Sequence, residues 1–179
     1  MEFSNRNLLT IYLAAFLLLL SVAAFFIFRQ IIKTTKTEKT LGRLEKKLKN
    51  ERGTVQEYYE LGSIYLDKKM FAQAIVMQKK ALKAETVDPT EMAPIHNALG
   101  YAYFGQEQYD VAIRQYKEAI KLEPEYVMAI NNLAHAYEQK KLTSQALDMY
   151  EQALKIDPKN DTAKRRIDSL RRRLVVSSK

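Results

Sequence analysis

Apolar and polar positions along this chain change their spacing twice, and each regime predicts a different element. From Leu8 to Phe28 no residue is charged: LLTIYLAAFLLLLSVAAFFIF. At 1.5 Å per residue a helix of this length spans about 31 Å, the hydrocarbon thickness of a bilayer. A helix also satisfies its own backbone polar groups there. The pattern predicts one N-terminal transmembrane helix over 8–28, preceded by a tail, 1–7. A cleaved signal peptide ending at Ser21-Val22-Ala23 is the alternative; Ala24 to Phe28 stay apolar beyond that site and the N-terminal region is weakly basic, which favours a retained anchor. Residues 29–53 read as a basic juxtamembrane linker and an amphipathic helix over 40–50, where Leu41, Leu44 and Leu48 recur at helical spacing. That helix either lies on lipid headgroups or caps the repeats C-terminal to it. Asn50 and Gly53 end it, and Thr54 with Glu57 forms a capping box that starts a helix at Val55.

Beyond Val55 the apolar pattern becomes periodic. Leu99, Gly100, Tyr103, Ala112, Tyr116, Ala119 and Pro124 return 34 residues later as Leu133, Ala134, Tyr137, Ala146, Tyr150, Ala153 and Pro158. Tyr58, Leu61, Gly62, Tyr65, Ala74 and Ala81 occupy the same frame 38 residues before the copy that holds Leu99 and Gly100. The four extra residues are expected in an enlarged turn and helix start around Asp88-Pro89-Thr90-Glu91. Glu123-Pro124 and Asp157-Pro158 repeat that start signal. The period and its order of large, small and aromatic positions resemble the tetratricopeptide repeat, a helix-turn-helix unit that stacks into a solenoid. The expected fold is all-α: one N-terminal transmembrane helix, a solenoid of three repeats (54–88, 89–123 and 124–157), and a basic capping helix and tail over 158–179. In the cap, Ala163, Ile167, Leu170 and Leu174 make one apolar stripe. Gly62, Gly100 and Ala134 are small so that paired helices can approach, which marks them as architecture.

Charge adds orientation. The net charge of +8 is unevenly distributed. Residues 29–52 carry nine basic and three acidic groups, net +6; residues 159–179 also carry +6, and 53–158 carry −4. An excess of Lys and Arg directly after an apolar span predicts that the C-terminal repeats stay on the cytoplasmic or stromal side. Arg29, Lys33, Lys36, Lys39, Arg43, Lys46 and Lys47 are candidates for contact with anionic headgroups. Nucleic acid is disfavoured, because no recognised module or basic-aromatic platform accompanies the charge. There are no cysteines, which excludes disulfides, thiolate chemistry and cysteine zinc sites.

What remains for function is the inner face of each first helix. By likeness to the repeat family, positions 2, 5, 9, 12 and 13 line a protein-binding groove. The candidates are Tyr59, Ser63 and Leu66; then Asn97, Tyr101 and Phe104; then Met128, Asn131, His135 and Glu138. Gln56, Asp67, Pro94, Gly105 and Gln139 complete the positions. Tyr101 and Phe104 suggest an apolar anchor, and Asn97 and Asn131 are spaced to bond an extended backbone. Repeat domains that clamp the carboxylate tail of chaperones carry cations where this chain has Tyr59, Met128 and Asn132, and asparagines where it has Ser63 and Ala98, so that clamp is not expected. His96 and His135 belong to no metal-ligating or nucleophilic set, and no Gly-rich phosphate loop is present. The sequence therefore predicts no enzyme, no cofactor, no metal and no small-molecule substrate.

The whole chain resembles a more specific family, the photosystem I assembly proteins of cyanobacteria and plastids with one N-terminal span and three tetratricopeptide repeats. The similarity rests on the span Leu8–Phe28, the leucine-spaced helix Leu41–Leu48, the stretch YYELGSIYLDKKMFAQAI from Tyr58 with ALKA following at Ala81, and the two regular repeats. It implies a single-pass thylakoid protein that assists assembly or stability of photosystem I, with subunits of that complex or other assembly factors as partners. A receptor or accessory factor for protein translocation, or for biogenesis of another membrane complex, is the alternative of similar layout.

Overall fold

The computed structural model describes residues 2–84 and 89–177. Among them are eight helices and no strand: α1 (Glu2–Asn50), α2 (Val55–Asp67), α3 (Phe71–Leu82), α4 (Pro89–Gly105), α5 (Tyr109–Leu122), α6 (Val127–Gln139), α7 (Thr143–Ile156) and α8 (Asp161–Ser177). The chain divides into two units, with the boundary between Lys46 and Lys47.

The first unit is helix α1 up to Lys46. The described large apolar side chains from Leu8 to Phe28 are between 46% and 68% exposed, so nothing among the described residues covers them. This helix is long and apolar enough to cross a membrane. It continues unbroken through 29–40, residues that read as a linker. Those residues contain neither Gly nor Pro, and Lys, Gln and Glu are good helix formers, so nothing stops the helix before Asn50. Within it Leu44 is fully buried, whereas Arg43 and Glu45 are exposed.

The second unit starts with the last turn of α1. Leu48 packs against Val55, Tyr58, Ala81 and Ile95, the core of the first hairpin and its neighbour. Lys47 pairs with Glu57, the residue that closes the capping box. Both bonds of that box form: the Glu57 amide donates to Thr54 Oγ1 (3.2 Å) and the Thr54 amide to Glu57 Oε2 (3.1 Å). Three hairpins follow, α2–α3, α4–α5 and α6–α7, stacked in order, with α8 against α7.

Each hairpin turns in the same way. In the first, the Met70 amide donates to Tyr65 O (2.8 Å) and the Lys69 amide to Leu66 O (2.9 Å); Gln108 and Glu107, then Leu142 and Lys141, repeat the pair. This is the Schellman ending, which needs one left-handed residue. Here Lys69, Glu107 and Lys141 take it, at φ 59°, 61° and 60°. Between the paired helices, side chains and small residues interlock. A Cβ added to Gly100 would lie 2.6 Å from the Tyr116 ring, and one added to Gly62 would lie 2.5 Å from Gln78 Nε2. Tyr116 and Tyr150 are almost wholly buried, and Gln78 stands at the equivalent place in the first hairpin. Between hairpins, Lys79 sits 5.7 Å above the Tyr103 ring and Lys117 sits 5.9 Å above Tyr137, a cation–π contact repeated from one junction to the next.

One expected helix start holds and two are corrected. The enlarged start is present: α4 begins at Pro89, four residues earlier in the frame than α2 or α6, and so carries an extra turn. That turn reaches back to α2, where Gln56 Nε2 donates to Glu91 Oε1 (2.7 Å). It also places Pro94 inside the helix; in the frame of the other repeats the same position falls in the first turn, where a missing N–H costs nothing. Pro124 and Pro158, in contrast, start no helix. They follow Glu123 and Asp157 in tight turns closed by Tyr126 N to Glu123 O (3.1 Å) and Asn160 N to Asp157 O (3.0 Å), and the helices begin at Val127 and Asp161. Pro is favoured as the second residue of such turns because its φ is already set. Asp88 lies outside the described residues.

In α8, Ala163, Ile167 and Leu170 are buried in the core formed with α6 and α7; the side chain of Leu174 is outside the described set. Gly100→Ala is expected to lower stability by ~1–3 kcal/mol through the forced contact with Tyr116. Glu107→Gly and Lys141→Gly are each expected to raise it by ~0.5–1 kcal/mol, since Gly adopts the left-handed turn residue without a Cβ penalty. Urea midpoints of the three variants measure both effects.

Candidate functional site

The first helices α2, α4 and α6 lie side by side and build a concave surface. One hollow, of about 400 Å³, takes Tyr59, Ser63 and Leu66 from α2, Asn97 and Tyr101 from α4, and Met128 from α6. Asp67, Ala98, Tyr126 and Asn132 complete it. A second, of about 370 Å³, lies toward the hairpin turns and includes Tyr101, Phe104 and His135 with Lys69, Phe71 and Asn132. Tyr101 is common to both hollows and is 47% exposed; Met128 is 58% exposed. Eight of the ten candidate groove residues are thus brought together. Asn131 and Glu138 line neither hollow.

The polar groups of the surface are mostly engaged with one another. Asn97 is buried; its Oδ1 accepts from Asn132 Nδ2 (2.9 Å), and its Nδ2 reaches the Tyr126 hydroxyl (3.4 Å). One repeat further on, Asn131 Oδ1 accepts from Asn160 Nδ2 (3.2 Å), while Asn160 Oδ1 caps α8 at the Ala163 amide (3.0 Å). The two asparagines therefore tie α4 to the start of α6 and α6 to the start of α8. They set the register between repeats instead of presenting free amides to an extended backbone. Ser63 Oγ donates to Tyr59 O (2.8 Å). Burial, followed by the nearby Tyr59 and offset by the Asn97 bond, raises the Tyr126 phenol above its ordinary value.

The apolar part is an aromatic row. Phe104 stacks on His135 with ring centroids 4.8 Å apart and meets Tyr109 edge-on at 5.3 Å. Tyr101 meets Phe71 edge-on at 6.5 Å. Phe104 is half-buried between its neighbours, which leaves Tyr101 and Met128 as the large side chains most open to an incoming segment. Phe71 packs so closely over Gly105 that a Cβ at residue 105 would meet its ring.

The third repeat ends differently. Glu138 occupies the place of Leu66 and Phe104, yet its carboxylate side chain is only 5% exposed. Arg166 of α8 grips it with Nε and Nη2 at 2.8 and 2.7 Å, and the Tyr150 hydroxyl donates to it at 2.7 Å. The bond to Glu138 raises the Arg166 guanidinium, and burial followed by the Glu138 bond pushes the Tyr150 phenol well above its ordinary range. Burial and then the Arg166 charge hold the His135 imidazole below its ordinary value, opposed by Glu138.

Sequence reasoning missed Tyr126, Phe71, Lys69 and the groove-lining role of Asn132. Tyr126 carried a signal, being an aromatic residue in a short turn where polar residues are the rule. Phe71 carried a weaker one, since it shares its frame position with Tyr109. Of the basic candidates on α1, Arg29, Lys36, Lys39, Arg43 and Lys46 are exposed, the Lys33 side chain is outside the described set, and Lys47 is engaged by Glu57.

Stacked helical hairpins with a groove along their first helices define a tetratricopeptide-repeat protein. Residues 97–161 and 58–87 match the tetratricopeptide repeat as a family, and such domains bind peptide segments of proteins. The chain belongs to the ycf37 family: it is 35% identical over 163 residues to the ycf37 protein of Cyanophora paradoxa, covering 91% of this chain and 95% of that one. It is also 34% identical to the chloroplastic tetratricopeptide repeat domain-containing protein PYG7 of Arabidopsis thaliana, over 68% of this chain and 40% of that longer protein. Among solved structures, the crystal structure of MamA aligns over 77% of this chain and 78% of its own, with 25% identity and a TM-score of 0.69. The first repeat domain of Spaghetti (RPAP3), bound to an HSP90 peptide, shares the fold at 21% identity and a TM-score of 0.62, over 70% of this chain and 96% of that one.

Two outcomes are expected from the polar end of the groove. Arg166→Leu leaves the Glu138 carboxylate buried without its cation and lowers stability by ~2 kcal/mol, whereas adding Glu138→Leu recovers part of the loss; denaturant titration of the single and double variants reads this. The depressed His135 favours the folded state when neutral. Its contribution is fully present above the ordinary histidine value of 6.5 and is lost as pH falls through the lower folded value. A His135→Asn variant should therefore lose less stability than the parent between about pH 7 and pH 5.

Proposed function

We propose that this protein is a membrane-tethered scaffold that assists assembly or stability of photosystem I. The observation that carries the reading is the pairing, in one chain, of an uncovered apolar helix with a peptide-sized groove. The full-length likeness to the ycf37 protein and the likeness to a chloroplastic relative support a plastid or cyanobacterial thylakoid setting. Helix α1 crosses the membrane over 8–28. Arg29, Lys33 and Lys36 follow within reach of anionic headgroups and keep the repeats on the stromal or cytoplasmic side. Anchoring confines the groove to the membrane plane and raises its effective concentration toward membrane-inserted subunits.

The groove holds an exposed segment of a photosystem I subunit or of another assembly factor until its proper neighbour arrives. The peptide named with the RPAP3 domain, SRMEEVD, is acidic. Here Tyr59, Ser63, Ala98, Met128 and Asn132 supply no cation to hold such a tail. The bound segment is instead largely uncharged, with apolar side chains that settle against Tyr101 and Met128.

Affinity purification from native membranes in mild detergent tests this. The parent protein should bring down photosystem I subunits or intermediates, and Tyr101→Ser with Met128→Ser should reduce the yield at least fivefold while leaving helicity unchanged. Both side chains are exposed, so the variant separates binding from folding. Normal photosystem I accumulation in a strain lacking the protein would overturn the proposal.

A further inference from the structure

We propose that Lys39, Arg43 and Lys46 form a second docking strip, which binds an acidic segment of a partner protein in the aqueous layer above the membrane. The inference rests on the reading that α1 crosses a bilayer. Because α1 is one unbroken helix, the positions of its charges are set by helix geometry. At 100° per residue, Lys36, Lys39, Arg43 and Lys46 fall within about 80° of one another, and Glu38 and Glu45 point to the other side. All four cations are exposed.

Distance separates them from lipid. Ile31 and Ile32 are the last exposed apolar side chains of α1. At the average tilt of about 20°, Arg43 stands roughly 16 Å and Lys46 roughly 20 Å above Ile32 along the membrane normal. The headgroup layer is about 6 Å thick and the screening length about 8 Å at physiological salt. Arg43 and Lys46 thus lie beyond the headgroup field, while Lys39, roughly 10 Å above Ile32, stands above the headgroup layer but within the outer part of its field. A polyanion in solution is what such a row attracts. Residues 29–50 contain no aromatic side chain on which bases could stack, which favours an acidic peptide over single-stranded nucleic acid. The strip complements a groove whose most open large side chains, Tyr101 and Met128, are uncharged, so one chain could engage two segments of different character.

The full chain reconstituted in phosphatidylcholine nanodiscs provides the test, with a short fluorescein-labelled Glu-rich peptide as probe. Lys39→Gln with Arg43→Gln and Lys46→Gln should weaken binding about tenfold, and raising salt from about 50 to about 300 mM should do the same to the parent. Arg165→Gln with Arg172→Gln and Arg173→Gln, on the other basic helix, should leave it unchanged. Gly42, where an added Cβ meets nothing within 4 Å, accepts a nitroxide through Gly42→Cys in this cysteine-free chain. In nanodiscs containing anionic lipid the label should report water, not lipid. Three results would overturn the strip: peptide binding insensitive to the α1 variant, a label at headgroup depth, or a single-stranded oligonucleotide bound more tightly through the same residues. Failure of the chain to enter nanodiscs at all would instead refute the membrane span.

Discussion

An added Cβ at Gly100 would sit 2.6 Å from the Tyr116 ring, and the stacking of the second unit depends on that closeness. A lone helical hairpin cannot bury both faces of its apolar side chains. Only when α4 and α5 lie close enough for Tyr116 to fill the space beside a glycine does the pair present a regular outer surface to the next pair. Ala134 and Tyr150 repeat the arrangement in the third hairpin, where both are buried. The first hairpin substitutes Gln78 for the tyrosine; its Oε1 is buried without a partner, while its Nε2 reaches Tyr59 O at 3.4 Å. A buried amide with one unsatisfied acceptor stabilises less than a packed ring. The first hairpin is accordingly the one that depends on outside help, from Leu48 at one side and the extra turn of α4 at the other.

Close packing inside hairpins fixes the spacing of helices, and polar side chains fix their register. Asn97 and Asn131 each reach forward to the residue before the next first helix, Tyr126 and Asn160. These bonds hold α4, α6 and α8 in sequence and leave the side chains of Tyr101 and Met128 open beside them. The same economy closes the groove at its far end: α8 brings Arg166 onto Glu138, so a carboxylate that would otherwise face the groove becomes part of the scaffold. The large side chains left most open on this surface, Tyr101 and Met128, are uncharged, and the basic surplus is concentrated elsewhere. The two basic surpluses belong to α1 and α8, not to the groove-lining helices. On α1, the cations follow the apolar segment along one unbroken helix.

Much of this was legible because repeated packing leaves a repeated trace. The repeat spacing marked the hairpins and their small contact positions, and likeness to the repeat family pointed to the face that carries Tyr59, Ser63, Leu66, Tyr101, Phe104, Met128 and His135. The capping box at Thr54 and Glu57 was equally visible, since its bonds are local. Pro124 and Pro158 misled, because Pro at the second position of a turn and Pro at the first position of a helix share the same φ and differ only in the backbone of the residues after them. Pro89 did not, since α4 begins there with Glu91 in its first turn.

By itself the sequence determined the all-α repeat architecture, the uncovered apolar segment and the distribution of charge, because each depends on spacing along one chain. Tertiary structure decided which groove residues are available. Asn97, Asn131 and Glu138 share the frame of binding positions, yet their partners Tyr126, Asn132, Asn160, Tyr150 and Arg166 come from other helices and turns. Whether a polar side chain faces a ligand or its own fold depends on what stands opposite it in space, and no periodicity in one dimension records that.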